Sequence, residues 1–456
     1  MSRTMPAFSA HLQANALASQ PAAGHGGAAL RSRYAQIRAQ TLALAKPLSA
    51  EDCQAQSMPD ASPVKWHLAH MTWFFETFVL EPFEPGYAPF NPAFRVLFNS
   101  YYNGVGDQHP RPRRGLLTRP SLADVLRWRL QVDERVDKLL ASACEPDFTA
   151  LVELGLQHEQ QHQELILTDC KHLLAQSRLQ PVYAPAWPLA AVAPVPASWV
   201  EFGGGLVEVG HAGQAPDAAF AFDNESPRHA FHLRPYALLN RLVTHGEWLE
   251  FVENGGYQNP RWWLSAGWDW VQAQGIEAPL YWHREKPNGP WRNFTLHGVV
   301  PLDAHTPVVH VCHFEADAYA RWASETDKRF AGARLPTEFE WEAAVAPDFE
   351  AHLAAGNFVE SRALHPMPVA KTPAGLMQAV GDVWQWTSSS YGPYPGYRAW
   401  AGAVGEYNGK FMANQYVLRG GSCATPRAHL RASYRNFFPS TARWQFTGLR
   451  LARDVY

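Results

Sequence analysis

Apolar residues recur at helical spacing through the first half of the chain, whereas short irregular segments follow in the second half. Repeats of three and four positions predict four amphipathic helices, near residues 32–47, 62–80, 121–143 and 147–177. Four such helices are enough for an antiparallel bundle. The connection over residues 81–119 is rich in aromatic residues, glycine and proline. A connection this long is usually functional or disordered, and its aromatic content argues against disorder.

A proline-rich segment, residues 181–197, separates this half from the remainder and is expected to run extended as a linker. Residues 198–456 contain strand-like pieces, many tryptophans and glycine turns, with two predicted helices at 244–253 and 313–324. The predicted fold class is therefore α+β. A four-helix bundle over residues 32–180 precedes a domain of low regular secondary structure.

Two histidines lie four residues apart on the apolar stripe of the fourth predicted helix. Positions i and i+4 share a helix face, so the rings of His158 and His162 are close enough to bind one metal ion. The alternative is that both are ordinary hydrogen-bonded histidines of a bundle core. A metal ion would need a third ligand from another helix, and the second predicted helix offers His67 and His70. Imidazole suits zinc, copper, iron and nickel about equally, so this spacing leaves the metal open.

Composition argues against several classes of partner and location. The net charge of −3 includes no block of like charges, so no nucleic acid or anionic membrane is expected as a partner. No apolar run approaches the ~18–20 residues that a membrane span requires. Five scattered cysteines form no disulfide framework, which favours a cytoplasmic location. Residues 1–31 lack a continuous apolar core and are expected to form a disordered leader rather than a signal peptide.

Ordered motifs in both halves resemble one enzyme family. The first half resembles the DinB-like helical bundle. Its segments SPVKWHLAH (62–70) and HEQQH (158–162) are similar to the iron-binding signature of the ergothioneine-pathway hercynine sulfoxide synthases. The second half resembles the formylglycine-generating-enzyme fold, an irregular C-type-lectin-like domain. The motifs that carry this second resemblance are Pro307–Val311, Arg334–Glu342, Gly381–Thr387, Leu418–Ser422 and Gly448–Asp454.

The resemblance implies a cofactor, a reaction and a set of binding residues. In this family three histidines hold one non-haem Fe(II). The reaction uses O2 to join the sulfur of a thiol to the imidazole C2 of hercynine (Nα-trimethylhistidine), leaving a sulfoxide. The implied metal ligands are His70, His158 and His162, whereas His67 is not among them. The implied contacts to hercynine are Asn436 and Phe437, and Gln161 could reach the same pocket. Phe438 is a further substrate-binding candidate, and the alternative for these aromatic residues is core packing.

The co-substrate is inferred from a departure within this family. Members that use γ-glutamylcysteine carry a Trp-Asp pair where this chain has Phe437-Phe438, so the chain resembles the branch that accepts free cysteine. That branch has a tandem tyrosine, which Tyr101 and Tyr102 match. We expect this pair to supply a proton or hydrogen atom, the alternative being that it anchors the loop. The following basic run offers Arg111 and Arg114 for the carboxylate of the amino acid, or is a solvated turn.

Three other functions stay open on the sequence alone. A selenoneine synthase would join a selenosugar to hercynine on the same scaffold. A copper-dependent formylglycine-generating oxidase would need a cysteine pair, for which Cys312 and Cys423 are the candidates. A lectin-like binding module on a helical stalk would use its histidines structurally. The sequence does not determine the oligomeric state.

Overall fold

A computed structural model describes residues 27–142, 145–187, 192, 194–213, 219–287, 289–369 and 375–456. The first half is helical, and a turn of π-helix (Glu76–Leu80) continues the third helix into the fourth. The helices of this half are α1 (Gly27–Ala45), α2 (Ala50–Gln54), α3 (Val64–Phe75), α4 (Glu81–Phe83), α5 (Phe94–Leu97), α6 (Leu122–Ser142) and α7 (Pro146–Ala175).

The four long helices α1, α3, α6 and α7 form the predicted bundle. Helices α1 and α3 each pack against both α6 and α7. The buried face of α6 includes Val125, Trp128, Val132 and Val136, as its periodicity predicts. Helix α1 begins at Gly27, so residues 27–31 are helical and do not belong to a disordered leader. The rest of that predicted leader, residues 1–26, lies outside the described residues.

The second half consists of small sheets and short helices, which confirms the α+β class. The strands are β1 (Trp199–Phe202), β2 (Gly205–Val209), β3 (His229–Leu233), β4 (Tyr236–Leu239), β5 (Trp282–His283), β6 (Arg292–Thr295), β7 (Gly298–Pro301), β8 (Trp384–Ser390), β9 (Gln415–Arg419), β10 (Asn436–Pro439), β11 (Thr447–Gly448) and β12 (Ala452–Asp454). The sheet orders are β1-β4-β12, β10-β9-β8-β11, β2-β3 and β5-β6-β7, and these strands pair antiparallel except for β11 with β8. The helices are α8 (His245–Glu253), α9 (Ser265–Gln274), α10 (His313–Thr326), α11 (Glu338–Val345), α12 (Phe349–Ala355) and α13 (Glu406–Gly409).

Helices α8 and α10 confirm the two helices predicted for this half, whereas α9, α11, α12 and α13 were not predicted. The buried residues of α11 explain its omission, because carboxylates interrupt the apolar positions Trp341 and Val345. Glu338 and Glu342 both accept hydrogen bonds from the buried Arg419 of β9, at 3.0 and 2.8 Å. Glu338 also pairs with Arg435, which immediately precedes β10. Buried ion pairs therefore fix the position of β10, and apolar periodicity does not reveal them.

Helix α7 connects the two halves through polar side chains. The carboxylate of Glu164 accepts hydrogen bonds from Trp384, Ser422 and Thr425 of the second half, at 2.6–2.8 Å. Lys171 Nζ lies 2.7 Å from His310 Nε2, and both residues are buried. Each domain therefore supplies hydrogen-bond partners to the other along this helix.

The described parts of the predicted linker, residues 181–187, 192 and 194–197, contain neither helix nor strand. Tyr183 joins this segment to both domains, because its hydroxyl donates to the Leu44 carbonyl and its N–H to the Leu296 carbonyl. Among the helices of the described residues, none is both long and apolar enough to cross a membrane.

Candidate metal centre and substrate pocket

Three buried histidines meet between α3 and α7. His158 and His162 lie one turn apart on α7, and His70 lies on α3. One nitrogen of each ring lies within 4.8 Å of the nitrogens of the other two. His158 is 6% exposed, His162 7% and His70 1%. These are the three histidines that the resemblance named as metal ligands.

A glycine allows the two helices to approach closely at this point. Gly155 lies one turn before His158 on the same helix. A Cβ atom placed on Gly155 would lie 2.7 Å from the Phe75 ring of α3 and 2.9 Å from the Phe74 ring. The missing side chain thus lets α3 pack against α7 where His70 must reach the other two rings.

Hydrogen bonds fix which nitrogen of two of these rings faces the cluster. His70 Nδ1 donates to the Phe98 carbonyl at 2.6 Å, which leaves its Nε2 lone pair free. His162 Nδ1 lies 2.8 Å from His67 Nδ1, and His67 Nε2 lies 3.0 Å from the Asp169 carboxylate. Because that carboxylate only accepts, His67 donates to it and accepts from His162 Nδ1. The Nε2 lone pair of His162 is therefore also free, and His67 supports a ligand rather than acting as one.

The charge state of the cluster suits a cation. Burial lowers the pKa of His158 to about 3. Burial, followed by the proximity of His158, holds the pKa values of His70 and His162 well below the ordinary value. His158 Nδ1 is buried and has no hydrogen-bond partner within the described residues. Three neutral imidazoles with available lone pairs therefore fit a divalent transition metal.

A cavity of about 640 Å³ opens beside the three histidines and is lined by both domains. Every residue that the sequence analysis assigned to the site borders this cavity. The cavity lining includes His70, Tyr101, Tyr102, Arg111, Arg114, His158, Gln161, His162, Asn436, Phe437 and Phe438. Their roles stay predictions, but the positions that carry them are brought together.

The two tyrosines of the long connection occupy different positions in the cavity. The buried Tyr102 ring has its centroid 6.5 Å from that of His70 and 6.4 Å from that of His158. Burial raises the pKa of Tyr102, so its hydroxyl is protonated at neutral pH. Tyr101 is farther out, where its hydroxyl accepts a hydrogen bond from Arg111. Tyr102 is therefore the member of the pair placed beside the histidines.

The loop that carries these tyrosines is held by the other domain. The Glu406 carboxylate of α13 accepts the backbone N–H of Asn103 at 3.0 Å and that of Gly104 at 2.7 Å. Lys410 Nζ donates to the carbonyl of Tyr101 at 3.0 Å. The tyrosine loop is thus positioned by contacts with residues about 300 positions away in the sequence.

The two predicted arginines are already hydrogen-bonded. Arg114 donates to Ser62 and Ser100, at 2.9 Å each, and its guanidinium lies 3.4 Å from the centroid of the Trp66 ring. Burial lowers the pKa of Arg114 to about 9, and no carboxylate of the described residues forms an ion pair with it. Arg111 donates to the Tyr101 hydroxyl and to the carbonyl of Asp60. Arg111 and Arg114 therefore belong to the cavity wall, whereas Arg113 is exposed.

Aromatic rings line the cavity wall near β10. Phe437 stacks on Tyr391 with ring centroids 4.0 Å apart. Tyr407 and Phe411 contribute two more rings, whose centroids lie 6.4 and 5.7 Å from that of Phe437. The next residue of β10, Phe438, contacts Trp444, with ring centroids 5.8 Å apart. The Phe437 cluster is the kind of surface that binds quaternary ammonium groups.

Comparison with known proteins identifies the family. Residues 33–166 match the family model of the DinB superfamily, and residues 192–455 match that of the sulfatase-modifying factor enzyme 1-like domain. Hercynine oxygenase of Mycobacterium tuberculosis is 34% identical over 93% of this chain and 99% of its own length. That of Mycolicibacterium thermoresistibile is also 34% identical, over 94% of this chain and 95% of its own length. The chain belongs to the hercynine oxygenase family of the ergothioneine pathway.

This membership confirms the resemblance drawn from the motifs. Four residues that line the cavity were not predicted, namely Tyr407, Phe411, His429 and Trp444. No motif marked them, because each is a single ring, among many in the second domain, in a loop or a short helical turn. The spacing of His158 and His162 was visible because both belong to one helix.

Proposed function

We propose that this chain is an iron(II)-dependent enzyme that joins the sulfur of cysteine to the imidazole C2 of hercynine. One O2 molecule oxidises the C2–H and S–H bonds, so that one oxygen atom forms the sulfoxide and the other leaves as water. One observation carries the proposal: three buried, neutral imidazoles border a cavity with an aromatic wall. The 34% identity to hercynine oxygenases supports it.

His70, His158 and His162 would hold the iron as an all-nitrogen set. Bound iron would supply redox chemistry toward O2 and keep the thiol deprotonated. The protein orients two of these ligands through the Phe98 carbonyl and through the pair of His67 and Asp169.

The aromatic wall would bind the trimethylammonium group of hercynine. This group has no N–H to donate, so aromatic faces and amide dipoles suit it better than a fixed hydrogen-bond acceptor. Phe437, Tyr407 and Phe411 offer such faces, and Asn436 and Gln161 offer amides on the same cavity wall. Binding there would keep the imidazole of the substrate near the three histidines.

Tyr102 would hold the proton that the reaction moves. Its hydroxyl stays protonated at neutral pH because burial raises its pKa. Its ring also lies beside those of His70 and His158. A phenol in this position can donate a proton or hydrogen atom and favour sulfoxide formation over simple oxidation of the thiol. Tyr101 is the outer member of the pair and would orient Arg111.

The buried charge of Arg114 favours an anionic co-substrate such as cysteine, because no carboxylate of the described residues pairs with it. A second candidate donor is a selenosugar, which carries no carboxylate. Each terminal nitrogen of Arg111 and Arg114 donates one N–H to a protein oxygen and keeps its second N–H, so sugar hydroxyl groups and a carboxylate are both suitable partners. Competition between cysteine and a selenosugar in one assay distinguishes the two donors.

Two alternatives from the sequence receive less support. The copper oxidase would need Cys312 and Cys423 at the site, but both are buried and neither lines the cavity. A binding module with structural histidines does not account for three neutral rings whose nitrogens converge within 4.8 Å of one another. The cytoplasmic location remains part of the proposal and rests on the cysteine pattern of the sequence.

The test is an assay of purified Fe(II)-loaded enzyme with hercynine, cysteine and O2. We expect one C2-linked sulfoxide, detected by mass spectrometry, for each O2 consumed. His158→Ala should abolish iron retention and product formation, whereas the matched control His305→Ala, at an exposed histidine, should change neither. Absence of product and of oxygen uptake with both donors would rule out the proposal.

A further inference from the structure

A chain of hydrogen bonds runs from the outer part of α7 to the cavity wall through the second domain. Its members are Glu153, Gln157, His429, Tyr434 and Gln161, and three of them lie on α7 at successive i, i+4 positions. Gln161 lines the cavity beside His158 and His162, and His429 and Tyr434 line it as well. The direction of each bond in this chain can be assigned from the groups at its start.

The first two bonds are fixed by an ion pair. The Glu153 carboxylate is held by the guanidinium of Arg33 at 2.8 and 3.0 Å and can only accept hydrogen bonds. Gln157 Nε2 donates to it at 2.9 Å, which orients the amide so that Gln157 Oε1 faces His429. That oxygen also accepts from Arg431 at 3.3 Å. His429 Nδ1, 2.8 Å from Gln157 Oε1, must therefore carry the hydrogen.

The remaining bonds follow from the tautomer of His429. Burial and the neighbouring Arg431 hold the pKa of His429 well below the ordinary value, so the ring is neutral and its Nε2 accepts. The Tyr434 hydroxyl, 3.0 Å away, donates to that nitrogen. The hydroxyl oxygen then accepts from Gln161 Nε2 at 2.7 Å. Reversing any one bond would place two donors or two acceptors face to face.

This polarity has two consequences at the cavity. The hydroxyl proton of Tyr434 is turned toward His429 and is not available to a substrate. The side-chain amide of Gln161 donates an N–H to Tyr434, so its carbonyl oxygen is the group that can face a ligand. A carbonyl dipole attracts the positive methyl groups of a quaternary ammonium and repels a carboxylate.

We propose that His429 is a positioning residue that fixes the Gln161 amide with its carbonyl oxygen toward the ammonium group of the bound substrate. This inference rests on the proposed function and adds a specificity role to a residue that touches no reacting atom. Without the imidazole, the Tyr434 hydroxyl can rotate and donate to Gln161 instead, and the amide then loses its fixed orientation. Because one oriented amide dipole is then lost at the ammonium group, we expect the affinity for hercynine to fall about tenfold.

The test measures binding without turnover. Hercynine is titrated by calorimetry into anaerobic Fe(II)-loaded wild type, His429→Phe and Tyr434→Phe, the last of which keeps the buried ring and removes only the hydroxyl. The same titration with 3-(imidazol-4-yl)propionate, which has the imidazole and carboxylate but no ammonium group, serves as the ligand control. Iron content and thermal unfolding report whether each variant folds and loads metal.

We expect about tenfold weaker binding of hercynine to each variant and unchanged binding of the propionate. The affinity of the double variant for hercynine should fall no further than that of either single variant, because both substitutions interrupt the same chain of hydrogen bonds. Equal weakening of both ligands would show a structural role only and would overturn the inference. Wild-type affinity for hercynine in both variants would also overturn it. Failure of wild type to bind hercynine would instead refute the proposed function.

Discussion

Replacing His67 with phenylalanine should weaken metal binding without removing a ligand. The variant His67→Phe keeps a ring of similar volume but removes the acceptor of His162 Nδ1 and the donor to Asp169. In the metal-free variant, His162 can take the opposite tautomer at little cost. Metal binding requires its Nε2 lone pair, so the hydrogen must return to Nδ1, where it is buried without a partner. The penalty therefore falls on the metal-bound state.

The size of this penalty follows from the burial of His67 and His162, which are 2% and 7% exposed. A buried donor without a partner costs about 1–3 kcal/mol. At about 1.4 kcal/mol per tenfold, metal affinity should fall roughly 10- to 100-fold. The same range is found when a group that hydrogen-bonds a metal-ligating histidine is removed.

Competition with a chromogenic chelator measures the affinity for Fe(II), or for Co(II) as a redox-stable substitute. His245→Phe is the matched control, because His245 is also buried and hydrogen-bonded, through Nδ1 to Asp303, but does not line the cavity. We expect lower stability in both variants and weaker metal binding only in His67→Phe. Unchanged affinity would refute the tautomer argument, and complete loss equal to that of His70→Ala would make His67 a ligand.

Three further predictions concern the helix contact, the acid stability and the tyrosine loop. Gly155→Ala places a Cβ 2.7 Å from the Phe75 ring and should cost about 1–3 kcal/mol and reduce metal uptake, so an unchanged thermal midpoint and metal content would contradict it. Burial raises the pKa of Glu159, but its two buried arginine partners outweigh this and lower that pKa to about 2. The ionised Glu159 therefore contributes on the order of 3 kcal/mol to the free energy of unfolding above its ordinary pKa near 4.5, and this contribution is lost as the pH falls toward 2. In urea unfolding, Glu159→Gln should lose less stability than wild type over that pH range. An unchanged pH dependence of stability would refute this. Glu406→Ala releases the loop of Tyr102 and should shift products from the hercynine sulfoxide toward oxidised cysteine, with hercynine affinity unchanged; an unaltered product ratio would show that the clamp has no role.

Periodicity predicted the four bundle helices because apolar residues recur at helical spacing in each of them, and this spacing depends on local sequence alone. Helix α3 was found in this way although it is buried on every side. It missed α11, whose buried face holds Glu338 and Glu342, both paired with Arg419 of the distant strand β9. A buried ion pair has no periodic signature, because the partner that neutralises the charge is far away in the sequence.

The candidate site divides in the same way. The spacing of His158 and His162 predicted that they share a face, and the structure places them so. Spacing could not choose between His67 and His70, because they lie three residues apart on the same face of α3 and both are buried. The choice depends on Asp169, which is on another helix and engages His67. Only the three-dimensional arrangement separates the ligand from the residue that supports it.

Helix α7 shows why neither domain alone forms the site. Two histidines of this helix, His158 and His162, meet α3, whereas Gln157, Gln161 and Glu164 meet the second domain. These two sets alternate within about two turns, so the helix cannot rotate to improve one set without displacing the other. Glu164 is fully satisfied by donors of the second domain, and this contact sets the rotation of α7. Docking of the two domains therefore fixes the direction of the metal-facing rings together with the wall that receives the substrate.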